Sequence, residues 1–306
     1  MTVMYDSKDH FGVIFSVHGT VWPNVLPLCL VNVAITITVY LLKEQDIYDL
    51  TFADDGHKIL ATMVAFLVVS RVSAAYTRFW EARTLLSKAL QQCRQLSIHS
   101  AAFTRNDDSD KATNWRLMIS RRLVELLEQS ISVLEKPDKT IALLHLNTDD
   151  EDVNFDEDPM ELVSYVHAAI TLHKKYLKEP LIIHKELKLH QYASDFTSYY
   201  HELAKFSATP YPFPTAQMTR IFLFVWMFSL PFALIHDVTE VYSIAIIIFF
   251  ITYGFFGLEF VSIELDDPFG EDPNDLEMKK LSNVIIRGIK EDLEATPSSV
   301  QMKPID

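Results

Sequence analysis

The hydrophobic positions of this chain gather into four segments, and polar positions fill the rest. Val25 to Leu42 runs eighteen residues without a charge, VLPLCLVNVAITITVYLL. At 1.5 Å per residue such a helix covers about 27 Å, close to the hydrocarbon core of a bilayer. Val241 to Leu258, VYSIAIIIFFITYGFFGL, is a second run of eighteen, flanked by Glu240 and Glu259. Ile221 to Ile235 is shorter, dense in aromatics, and bounded by Arg220 and Asp237. Ile59 to Ser70 has only twelve residues, about 18 Å of helix, too short to cross lipid alone. A buried core helix fits that length. So does a helix that starts in the membrane and continues out through its polar end, or one that lines a protein-enclosed pore. The run lies between a strong span and a long polar stretch, which favours a membrane segment. The expected count is four.

Basic residues near the spans set the expected orientation. The link 43–58 has two Lys against five acids, and the link 236–240 has neither Lys nor Arg. Arg71, Arg78, Arg83 and Lys88 follow the second segment, and Lys279 and Lys280 follow the fourth. Both termini and the long middle region are therefore expected on the positive-inside side. Met1 is followed by acidic and polar residues, so no signal peptide is expected. In the middle region, Leu117, Leu123, Val124, Leu126, Leu127 and Ile131 recur at spacings of three and four, as do Leu162, Val163, Val166, Ala169 and Ile170. These patterns predict amphipathic helices in a soluble bundle. Asp149 to Asp158 carries seven acids in ten positions and reads as a solvated loop.

The expected fold class is an all-α membrane protein with four membrane segments and a helical cytosolic bundle. Its divisions are an N-terminal segment (1–24), the first two membrane segments (25–70), a helical cytosolic region (71–217), the last two membrane segments (218–262), and an acidic turn with a tail (263–306). Composition agrees. Seven Gly in 306 residues is far below the usual share of about 7% and argues against an all-β barrel or sandwich. Two Cys cannot build a disulfide framework. A net charge of -14 argues against nucleic acid as a partner, because phosphate binding needs clustered Lys and Arg.

Enzyme signatures are missing: there is no Gly-x-Ser-x-Gly, P-loop or dinucleotide fingerprint. No pair among the eleven His is four apart on one helix face, so no zincin-like site is expected. His167, His173, His184, His190 and His201 fall on predicted helices at spacings that set no two side by side, and read as surface or satisfied interior residues. No catalytic residue and no organic cofactor is assigned.

Three features stand out. AYTRFWEAR (residues 75–83) puts Tyr76, Phe79, Trp80 and Arg83 on one helix side just after the short apolar run. An ordinary interface belt also fits it. TPYPFP (209–214) sets three prolines before the third span, an extended entry that fixes where the next helix starts. IELDDPFGEDPNDLE (263–277) bunches seven carboxylates around a Pro-Phe-Gly turn. A solvated acidic turn fits that spacing. A calcium site built from carboxylates and carbonyls fits it too, although the EF-hand pattern fails.

Together these motifs resemble the bestrophin family of ion channels. AYTRFWEAR and DPFGEDPND are the specific ones, and His18-Gly19-Thr20-Val21 is similar to the family's Arg-Gly-Ser stretch with His in place of Arg. The resemblance covers most of the chain. It implies a homopentamer around one axial pore that passively conducts chloride and related anions such as bicarbonate or nitrate. It also implies a pore neck on the second segment at Thr62, Phe66 and Ser70, with Ala61, Ala65 and Val69 as the set after a slip of one residue. Only Phe66 keeps the bulky apolar character of the family neck, and hydroxyls weaken a gate that works by dewetting. A second, cytosolic constriction is implied at Leu181, after Pro180. Calcium, structural or regulatory, is implied at Asp272, Asp275, the Asp267 carbonyl and Glu264, completed by an N-terminal carbonyl near His10. Pro273-Asn274 is more similar to bacterial and plant members, which are not calcium-gated in the same way. Two readings compete with the anion channel: a cation-conducting pore of the same fold, and a non-conducting membrane scaffold or regulatory subunit. Plasma, plastid and other organellar membranes all fit.

Overall fold

Prolines, hydroxyls and charges decide where the apolar runs start and stop as helices. A computed structural model describes residues 6, 8–52, 55–135, 159–237, 240–270 and 273–294. Among the described residues the regular elements are all helices: α1 (His10–Phe15), α2 (Trp22–Glu44), α3 (Asp55–Phe103), α4 (Asp110–Leu134), α5 (Pro159–Thr171), α6 (His173–Tyr176), α7 (Ile183–Ala208), α8 (Phe213–Asp237), α9 (Val241–Asp266) and α10 (Met278–Glu294). Gly19, in the left-handed region at φ 71°, lies just before α2, whose first turn holds Pro23 where no intrahelical N–H is needed. Ser109 caps α4 by accepting the Ala112 N–H at 3.2 Å. The expected acidic loop at 149–158 lies outside the described residues.

The twelve-residue run proves to be the front of α3, a helix of 49 residues, or about 73 Å. Of the three readings open for it, a separate buried core helix is excluded, because the helix continues through its polar end. Apolar side chains carry α3 as far as Ser70. Past Arg71 the alternation of polar and apolar positions keeps helical period, so nothing stops it before Phe103.

The chain divides into two compact units, one from residues 1–80 with 210–275 and one from 81–209 with the C-terminal part beginning at 276. In the first unit α2, α8, α9 and the front of α3 pack around Val25, Cys29, Val64, Val68, Leu223, Met227, Ile244, Ile248 and Phe256. The outer surface is also apolar, with Leu30, Val31, Ile246 and Phe250 exposed. An apolar exterior suits lipid and would be unfavourable in water. The polar groups lie inside instead: buried Asn32 on α2 donates to the Met227 carbonyl of α8 at 3.2 Å and to the Thr252 hydroxyl of α9 at 2.9 Å. Among the described residues four helices are long and apolar enough to cross a membrane, beginning at Trp22, Asp55, Phe213 and Val241.

The second unit is built in the opposite way, from amphipathic helices. Trp115, Ile119, Leu123, Leu126 and Leu127 of α4 are buried, as are Val163, Val166 and Ile170 of α5, Leu189, Phe196 and Leu203 of α7, and Ile289 and Leu293 of α10. Polar bonds tie α10 in: Ser120 donates to Glu294 at 2.9 Å, Lys279 pairs with Glu135 at 2.7 Å, and Arg94 pairs with Asp292. A Cβ at Gly288 would lie 2.6 Å from the Arg94 guanidinium carbon, so a side chain there would have to displace the end of Arg94.

Asn32→Ala removes the single amide that joins three membrane helices and leaves a buried carbonyl short of a donor. It is expected to cost about 1–3 kcal/mol. A lower thermal midpoint of the detergent-purified protein, with helix content retained, checks it.

Candidate ion path and its supports

The front of α3 has two unlike faces. Val64, Val68 and Arg71 are buried within the protomer, on the side that meets the rest of the first unit. Thr62, Phe66 and Ser70 lie about 200° round the helix from them and are exposed, Phe66 at 70%. The alternative set is mixed, since Ala61 and Ala65 are half-buried and Val69 is exposed. The Thr62 hydroxyl donates to the Lys58 carbonyl at 3.3 Å, whereas that of Ser70 makes no bond within the described residues. One turn further on, Tyr76 and Trp80 stack at 6.4 Å between centroids and are exposed.

Behind this face lies a buried charge cluster. Arg71 Nε is 3.2 Å from Oε2 of Glu259, and Arg220 Nε donates to Oε1 of the same carboxylate at 2.8 Å. Arg71 and Glu259 are 3% and 4% exposed. The Tyr211 ring lies 5.1 Å below the Arg71 guanidinium, so the proline-rich entry to α8 also serves to cover the arginine. Arg78 donates to the Asp266 carbonyl at 3.2 Å, placing a cation at the C-terminal end of α9 where the helix dipole favours it. AYTRFWEAR thus provides more than an interface belt, because Arg78 closes a helix end.

The acidic turn is held by an amide. Asn274 donates through Nδ2 to the Gly19 carbonyl at 3.0 Å and to Glu264 Oε2 at 2.8 Å. Asp267 accepts the Phe269 N–H at 3.3 Å, and Asp275 is buried against Gly270, where a Cβ would meet its Oδ2 at 2.7 Å. His10 is exposed at the start of α1. Asp272 lies outside the described residues. Among the described residues no three His, Cys, Asp or Glu side chains converge on a metal position. One oxygen of the implied calcium set, on Glu264, here accepts from Asn274.

Leu181 also differs from expectation. Its side chain is buried in its own protomer, at 9% exposure, because its N–H is tied inward to His173 at 3.0 Å. A residue lining a shared path has to face out of its protomer. At this turn the outward apolar side chains are Ile182 and Ile183, at 61% and 65%. His167 and His190, set apart by sequence spacing, meet between α5 and α7 with Nδ1 atoms 2.7 Å apart. Spacing along one helix carries no signal for a contact between two.

Glu259→Gln leaves two guanidinium groups without their carboxylate, and a loss of about 3–5 kcal/mol is expected for a broken buried pair. Arg220→Ala breaks a pair whose arginine is half-exposed and is expected to cost under about 1 kcal/mol. Thermal midpoints of the two variants in the same detergent check that order.

A family model for bacterial and fungal bestrophin proteins matches residues 1–291. Voltage-dependent anion channel-forming protein alr2987 of Nostoc sp. is 22% identical over 306 residues, covering 95% of this chain and 94% of that protein. Voltage-dependent anion channel-forming protein YneE of Escherichia coli is 25% identical over 277 residues, covering 89% and 88%. A solved bacterial bestrophin homologue from Klebsiella pneumoniae superposes with a TM-score of 0.73 at 22% identity, covering 89% of this chain and 99% of that one. Matched from residue 1 to residue 291 and sharing the fold of a solved homologue, this multi-pass membrane protein belongs to the bestrophin family.

Proposed function

We propose that the protein is an anion channel, assembled as a homopentamer in which Thr62, Phe66 and Ser70 of each subunit line the neck of one axial pore. The observation that carries this reading is the outward face of α3. An aromatic ring and two hydroxyl side chains point away from a protomer whose opposite face is fully packed. Relatives described as forming anion channels support the same reading. Ring edges carry positive potential and suit a passing anion. Ser70 has an O–H free to replace part of the hydration shell. Directly behind the neck, Arg71 and Arg220 share the one Glu259 carboxylate, which favours anions as well. The chain's overall -14 acts weakly here, since charges beyond about 8 Å are screened at physiological salt. Chloride is the expected main ion, with bicarbonate and nitrate as further permeants. Ile182 takes the place first assigned to Leu181 at the second constriction.

Asn274 joins the N-terminal segment to the acidic turn as a neutral donor, in the place where the resemblance implies calcium. Current is accordingly expected to change by less than about twofold when calcium is chelated. Asn274→Asp sets a second carboxylate against Glu264, and its current is expected to depend on calcium. Loss of the wild-type current on chelation would contradict this role.

In planar bilayers under a KCl gradient, the reversal potential is expected near the chloride equilibrium value. A shift toward the potassium value would favour a cation pore, and oligomers that pass no current would favour a scaffold. Phe66→Ala removes the one bulky neck ring and is expected to raise single-channel conductance on the order of a few-fold.

A further inference from the structure

The second unit contains a buried imidazole with no role in the neck or the acidic turn. His173 opens α6 and is fully buried. Its Nδ1 accepts the Leu181 N–H at 3.0 Å. A backbone N–H can only donate, so Nδ1 is the bare nitrogen and Nε2 carries the proton. Nε2 lies 3.4 Å from Glu186 Oε2, and Oε1 of that carboxylate takes the Lys174 ammonium at 3.0 Å. The His173–Leu181 bond closes the turn 177–182 on itself. Ile182 and Ile183 stand exposed immediately beyond it, at the start of α7.

We propose that His173 positions this turn, and that protonation of its Nδ1 releases Leu181 and loosens the constriction formed by Ile182, so that current increases in acid. The gating half of this proposal rests on the reading that Ile182 narrows the ion path. Protonated Nδ1 faces the Leu181 N–H donor to donor, and the bond is lost. The imidazolium gains instead from Glu186, through a charge-assisted contact at Nε2. Two isoleucines kept in water by a pinned turn lower their free energy by folding inward once the pin is gone. That movement widens the path.

The charged groups around His173 permit this step. Lys174 holds the Glu186 carboxyl below its usual range, with His173 adding to the effect, so an anion stays beside the ring as pH falls. His190 on α7 and His167 on α5 are both held below the usual imidazole range, chiefly by burial; His190 adds to this at His167, while at His190 the Glu186 carboxylate opposes it and His173 and Lys174 reinforce it. Toward α4, Arg116 is engaged by the Thr104 and Asp107 carbonyls and the Thr113 hydroxyl. Asp107 accepts the Lys178 N–H at 2.8 Å and pairs with its ammonium at 3.8 Å. Lys175, in the same short helix, is exposed.

The test uses the full-length protein and two readouts. His173→Asn puts an amide oxygen where Nδ1 stands and cannot gain a proton there, whereas His173→Phe has no acceptor. Wild-type current is expected to rise on the order of threefold between about pH 7.5 and 5.5. His173→Asn is expected to stay flat at the neutral level, and His173→Phe to stay flat at the acid level. Hydrogen exchange of the 177–182 amides, corrected for the intrinsic pH dependence, is expected to speed up in acid in the wild type and not in His173→Asn. This second readout needs only the wild type to test the pin. Unchanged wild-type protection in acid, or equal acid-induced exchange in wild type and His173→Asn, overturns the role of His173. Acid-induced exchange with a flat wild-type current overturns the gating half and places the failure in the path assignment.

Discussion

The Arg71–Glu259 contact is the interaction on which the first unit's geometry depends. A guanidinium and a carboxylate, each almost wholly removed from solvent, are tolerable only while they face each other. Their pairing sets the rotation of α3 about its own axis. With Arg71 turned inward against α9, helical period puts Val64 and Val68 inward and leaves Thr62, Phe66 and Ser70 on the outward side. Sliding the helix by one residue would pull Arg71 off Glu259 and Tyr211 together. The same charge pair therefore fixes which of the two candidate neck sets is presented.

The two units use opposite strategies for the same problem. In the first, both surface and interior are apolar, so burial alone specifies little and polar groups supply the specificity: the Asn32 amide, the arginine cluster, and the Asn274 tie. In the second, amphipathic faces specify the packing in the ordinary way, and its buried polar groups include an imidazole that can change charge. A chain that is 49% hydrophobic yet carries -14 is consistent with this segregation.

Much of this was legible in the sequence. The spans at Val25, Ile221 and Val241 were readable because a long uncharged run has one physical reading. The amphipathic faces of α4 and α5 were readable because period 3.6 is local. That Thr62, Phe66 and Ser70 share one helix face was readable because a four-residue spacing is local. What escaped depended on contacts between helices. Asn274 reads as one polar residue among acids, and only the fold brings it between Gly19 and Glu264. Leu181 follows a proline as the resemblance implies, yet a histidine eight residues earlier turns it inward and leaves Ile182 outside. The His167–His190 contact joins two helices and has no signature along either.

Cysteine accessibility tests the orientation of α3 most directly. Both native cysteines, Cys29 and Cys93, are buried, so an introduced thiol can be followed in the wild-type background. With Ser70→Cys, a negatively charged thiosulfonate applied during conduction is expected to react quickly and suppress chloride current. With Val68→Cys, two residues earlier but on the packed face, the same reagent is expected to leave the current unchanged. A reactive Val68→Cys together with an inert Ser70→Cys would contradict the placement of the ion path along this face.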